Sequence, residues 1–102
     1  MPYVLRQRQT MRVLTGWLIN HYDLPYVGTI HWETKEEAEK HKVVMLEQAG
    51  EAEPELWEVY HLDENQLKMC NVKLKNDPSL HLYIEDGGHM RVERAAAQGD
   101  GA

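Results

Sequence analysis

Apolar and polar positions change their period along the chain, and each change marks an element. Residues 34–49 carry the helical signature. Thr34-Lys35-Glu36-Glu37 fits a capping box, in which Thr34 accepts from the Glu37 amide and Glu37 reaches back to the Thr34 amide. Ala38, His41, Val44 or Met45, and Gln48 or Ala49 follow at helical spacing, with Leu46 flanking the stripe. Gly50 suits the left-handed exit that ends many helices. Lys35/Glu39 and Glu36/Lys40 are i,i+4 pairs that add support.

Beyond the acidic connector Glu51 to Glu55 the period falls to two. Leu56, Glu58, Tyr60 and Leu62 alternate with Trp57, Val59 and His61. Asp63-Glu64-Asn65-Gln66 reads as a turn, and Leu67 to Lys75 alternates again, with Cys70, Val72 and Leu74 on one face. Asn76-Asp77-Pro78-Ser79 is a second turn, since Pro fixes φ and its neighbours bond locally. Leu80, Leu82 and Ile84 form a further strand before the turn Asp86-Gly87-Gly88, and Met90 and Val92 add a short last one. The pattern predicts an antiparallel meander of three or four strands after the helix.

The first third is less regular. Tyr3 to Leu14 reads as an extended strand, with a short helix over 5–14 as the alternative because Leu, Arg, Gln and Met are good helix formers. Thr15-Gly16 is a breaker where a hairpin can bend before Trp17-Leu18-Ile19, and Tyr26 to Trp32 reads as a strand feeding the helix. The sum is α+β: one main helix at 34–49 on an antiparallel sheet, in the order ββ(β)-α-βββ(β). A second helix is not placed by the pattern. Residues 1–93 read as one domain and 94–102 as a disordered tail, because no large apolar residue follows Val92.

Composition adds two constraints. The chain of 102 residues has three Trp and five Tyr but no Phe, so its large aromatics carry polar atoms that need partners. Its single cysteine, Cys70, cannot form an internal disulfide, which with the absence of a leader-like N-terminal order predicts a reducing cytoplasm, bacterial or that of a viral host. No apolar run approaches the roughly 20 residues that span a bilayer, so no membrane association is expected.

Charge is segregated. The net charge is −6, but residues 33–64 hold eleven acids against Lys35, Lys40 and Lys42, giving −8. The flanks 1–32 and 65–84 are each +2. Glu33, Glu36, Glu37, Glu39, Glu51, Glu53 and Glu55 are therefore candidates for docking a basic or nucleic-acid-binding protein. The plainer reading is a solvated helix face, because the three lysines interrupt what an imitator of nucleic-acid phosphates would keep acidic. Arg6, Arg8 and Arg12 share a face if residues 4–14 are one strand, and that ladder either meets an anion or partner or lies in solvent. Direct nucleic-acid binding is not expected at this net charge.

Candidate chemistry is sparse. None of the six histidines shows short metal-ligand spacing, so neither a metal nor a cofactor is expected. His61, His81 and Tyr83 would line a pocket if their strands met, and Cys70 in mid-strand reads as inert packing. No phosphate-binding or nucleophile-elbow motif occurs, and no catalytic residue is assigned. Trp57 or Tyr60 is expected in the core, with Tyr22 and Tyr26 in an exposed loop beside Pro25.

Three functions follow. The leading one is a small non-enzymatic binding or regulatory protein acting by protein–protein contact. In its sharper form it is an acidic, phage-type inhibitor that imitates nucleic acid at a nucleic-acid-handling protein. The second is a small enzyme or ligand-binding domain with a His/Tyr-lined sheet pocket. The third is a structural subunit whose sheet edges pair in a homodimer.

Overall fold

Residues 8–10 form a tight reversal that sends the N-terminal segment back along itself. Met11, in the left-handed region at φ +70°, completes it. The computed structural model describes residues 1–94. In chain order it has β1 (Tyr3–Gln7), β2 (Arg12–Val13), β3 (Thr15–Ile19), β4 (Pro25–Thr29), β5 (His31–Trp32), α1 (Lys35–Gln48), β6 (Trp57–His61), α2 (Glu64–Leu74), β7 (Leu80–Ile84) and β8 (Met90–Arg94). The fold is α+β, with two helices and an antiparallel curled sheet. The expected tail falls mostly on residues 95–102, outside the described residues, while Arg94 closes β8.

Every strand pairing is antiparallel. A strand has only two edges, and β6 occupies one edge of β1 over its full length. The other edge is shared: β5 pairs with Tyr3 and Val4, and β2 pairs with Arg6. From β2 the sheet continues to β7 and β8. Leu14 and Ile30 link β2 to β3 and β4 to β5 through backbone bonds, so the β3–β4 hairpin peels away as a separate two-stranded sheet. That hairpin turns at residues 20–24 rather than at Thr15-Gly16. The Asn20 side chain accepts from the Tyr22 and Leu24 amides, and Asp23 takes a left-handed φ of +61°.

The stretch 67–75 corrects the expected order. It is a helix, not a strand. Asp63 caps it by accepting from the Gln66 amide at 2.7 Å, while Gln66 returns the bond to the Asp63 amide at 2.9 Å. What reads as a turn is thus a helix start, and Cys70 and Leu74, four apart, are its buried positions. Lys75 and Asn76 end it in left-handed conformations.

The two helices lie on opposite faces of the sheet, and the alternation of strand side chains builds a core on each. Leu5, Leu14, Ile30 and Trp57 meet Leu46 of α1 on one side. Val4, Val13, Leu62, Leu82 and Ile84 meet Cys70 and Leu74 of α2 on the other. On α1 the buried residues are Ala38 and Leu46, so Leu46 is the anchor of the helix rather than its flank. Thr34 caps α1 by accepting from the Glu37 amide at 3.1 Å, and Gly50 exits at φ +77°.

Candidate interaction surface

The three arginines of the N-terminal segment do not share a face, because the reversal at 8–10 separates them. Arg6 is 6% exposed on the α2 side of β1. Its Nε donates to Glu58 at 2.8 Å, Nη1 to the Ile84 carbonyl at 2.9 Å and Nη2 to Asp86 at 3.2 Å, with the Tyr60 ring 4.1 Å away. That side chain ties β1, β6 and the β7–β8 turn together and is spent on the fold. Arg8 donates to the Glu55 carbonyl, and Arg12, on the α1 side of the sheet, pairs with Glu51 at 3.2 Å.

Across the sheet the same neutralisation recurs. Arg91 pairs with Glu85 and Glu93 and lies 4.3 Å from the centre of the Tyr83 ring. Arg94 pairs with Asp77, whose carboxyl is held below its ordinary range first by the Ser79 hydroxyl and amide, then by Arg94. The acidic block is treated differently. Of its seven candidates, Glu51 meets Arg12 and Glu33 meets the N-terminal amine at 3.7 Å. Glu36, Glu37, Glu39, Glu53 and Glu55 are exposed and have no ion pair within 4.0 Å among the described residues. The expected Lys35/Glu39 and Glu36/Lys40 pairs are not formed at that distance. Glu39 and Glu55 come together with Lys42, Val43 and Pro54 around a groove of about 380 Å³.

His61 and His81 are not brought together. β6 and β7 lie on opposite sides of the β1–β2 pair, which separates their lines by about 14 Å. His61 stacks on Tyr3 at 4.8 Å, whereas His81 and Tyr83 sit on the stretch of sheet that α1 leaves uncovered. Burial first, and then the Arg12 charge, hold the His81 pKa below its ordinary value. Cys70 is not in a strand but on α2, buried, with its thiol directed at Met90 Sδ at 3.8 Å. Burial pushes its pKa up to about 11, which keeps it a thiol at neutral pH. Among the described residues no group of three or more His, Cys, Asp and Glu is placed to hold a metal ion. None of their helices is long and apolar enough to cross a membrane.

The β3–β4 hairpin exposes Trp17 (61%), Ile19 (63%), Tyr22 (72%) and Leu24 (58%). Trp17 and Ile19 stand two apart on one strand and so share a face. Trp17 also borders a groove of about 280 Å³ whose far wall is Met45, Gln48 and Ala49 at the end of α1. The alternation Trp17-Leu18-Ile19 followed by Asn20 and Pro25 was the available signal for a protruding hairpin. Tyr22 is exposed in its turn as expected, but Tyr26 belongs to β4 and lies over Gly28, where an added Cβ would meet its ring at 2.7 Å. Trp57 is the buried aromatic, and Tyr60 packs at the edge of the α2-side core.

Comparison with protein-family models, with curated proteins and with solved structures finds no match to this chain.

Proposed function

We propose that this chain is a small protein-binding module that docks a basic partner protein on its α1 side. The observation that carries this reading is the asymmetry of charge compensation. The arginines of the sheet meet carboxylates of the same chain, while Glu36, Glu37, Glu39, Glu53 and Glu55 have no ion pair among the described residues and outnumber the likewise unpaired Lys35, Lys40 and Lys42 of α1. Unmatched carboxylates create a field that steers and orients a cationic surface. At the C-terminal end of α1, Trp17 supplies a large apolar anchor at the mouth of a groove, the kind of residue that dominates binding energy when a partner desolvates it.

The chain, immobilised and exposed to lysate over a salt series, should retain a partner whose recovery falls steeply with salt. Glu36→Gln, Glu37→Gln and Glu39→Gln together should lower recovery at low salt about tenfold or more and flatten the salt dependence. Trp17→Ala should lower recovery at every salt concentration. Unchanged recovery and unchanged salt dependence in the triple variant would sink the acidic-face reading. Duplex DNA competing for the retained protein would mark the partner as nucleic-acid-handling and favour the inhibitor form of the proposal.

A further inference from the structure

The sheet ends at β8, and the hairpin before it decides which groups face outward. Glu85 N–H donates to the His89 carbonyl at 2.8 Å. Hydrogen-bonded positions alternate from there to Tyr83/Arg91 and His81/Glu93. The N–H and C=O groups of Met90, Val92 and Arg94 therefore point away from β7, and among the described residues they have no backbone partner. The outer edge of β4 is closed by contrast. There Asn76 and Asn71 of the α2 segment accept from the Val27 and Thr29 amides at 2.7 and 2.9 Å.

We propose that β8 pairs antiparallel with β8 of a second copy of this chain, centred on Val92, so that two sheets continue through a two-fold axis. The sequence Met90-Arg91-Val92-Glu93-Arg94 is self-complementary in that register. Val92 meets the partner's Val92, and Met90 meets the partner's Arg94, which lets all the outward backbone groups bond. Between them lie non-hydrogen-bonded positions, where facing side chains approach most closely. There Arg91 faces the partner's Glu93, and Glu93 faces the partner's Arg91. Both pairs fall on the sheet face that carries Tyr83, clear of α2 on the other face.

The opposite edge offers no such match. Centred on Val59, β6 would set Glu58 against the partner's Tyr60 and Trp57 against the partner's His61. Glu58 is held by Arg6, as Arg91 is by Glu85 and Glu93, so what separates the edges is that β8 alone sets opposite charges face to face. The charge pattern thus selects β8. This pairing is separate from the α1 face, which it leaves open.

Sedimentation velocity over a concentration series tests the proposal with three forms of the full chain. The wild type should dimerise. Arg91→Glu makes β8 wholly acidic at the facing positions, and Glu93→Arg makes it wholly basic, so each alone should weaken self-association about tenfold or more. Mixed in equal amounts, the two variants restore opposite charges across the seam and should recover the dimer as a heterodimer. Circular dichroism and thermal melts of each variant verify the monomer fold. A wild type that stays monomeric at its highest soluble concentration overturns the proposal. So does a dimer that ignores both substitutions, or a mixture that associates no better than its components.

Discussion

The two helices of this protein do opposite work. α2 is held at both ends and on its inner face: a reciprocal cap at Asp63/Gln66, Cys70 and Leu74 in the larger core, and Asn71 and Asn76 bonded to the edge of β4. α1 is three residues longer yet buries no more residues, Ala38 and Leu46 with Met45 packed at the core edge; its exposed Val43 and Val44 lie among glutamates, whereas the exposed Met69 and Val72 of α2 lie among lysines. The same number of buried residues spread over a longer helix contributes less stability for its length, because tertiary packing supplies most of a helix's stability. What α1 does offer is surface. The difference separates a structural helix from a displayed one, and it is the reason the proposed partner is placed on the α1 side.

Truncation in the two cores tests that separation most strongly. Leu74→Ala is expected to cost about 4 kcal/mol and Leu46→Ala nearer about 2.5 kcal/mol, because the lightly anchored α1 can settle into the space left behind. Chemical denaturation of both variants measures this, and a larger loss at Leu46 would reverse the assignment. The caps give a smaller effect of the same kind. Asp63→Ala breaks a two-way box and should cost about 1.5 kcal/mol, whereas Thr34→Ala removes one bond and should cost about 0.5–1 kcal/mol.

The smallest effect concerns the sheet face that α1 leaves bare. The folded His81 pKa is depressed, so the unfolded chain binds the proton first as pH falls. Stability from this group is intact above the unfolded value of about 6.5 and declines below it. His81→Gln should flatten that decline, seen as a weaker dependence of the melting temperature on pH below about 6.5. An unchanged slope would mean that His81 is as well solvated folded as unfolded.

The legibility of each region follows from how local its causes are. α1 is readable because its start, its helix-forming residues and its glycine exit are consecutive in the chain. β7 and β8 are readable for the same reason, with apolar alternation at Leu80, Leu82 and Ile84 on either side of a diglycine turn. α2 was obscured because Cys70, Val72 and Leu74 satisfy a period of two while Leu67, Cys70 and Leu74 satisfy the helical spacing equally well. Only burial distinguishes them: Val72 is exposed, which a strand with that face inward would not allow. The acidic block was visible as composition. That its glutamates stay unpaired was not visible, since i,i+4 spacing predicts pairs that the side chains do not make.

By itself the sequence determined the α1 boundaries, the strand at Trp57–His61, the β7–β8 hairpin and the concentration of negative charge between residues 33 and 64. These depend on neighbours within a few positions, where propensity, capping and turn chemistry act. The tertiary structure decided which arginines are spent on internal ion pairs, that Arg6 and Arg12 face opposite ways and that His61 and His81 stay apart. It also decided which sheet edge is closed by asparagines and which is open. Those outcomes depend on strand order and on residues up to eighty positions apart, such as Arg6 and Asp86. No local pattern encodes such distances; only the packed sheet brings the partners together.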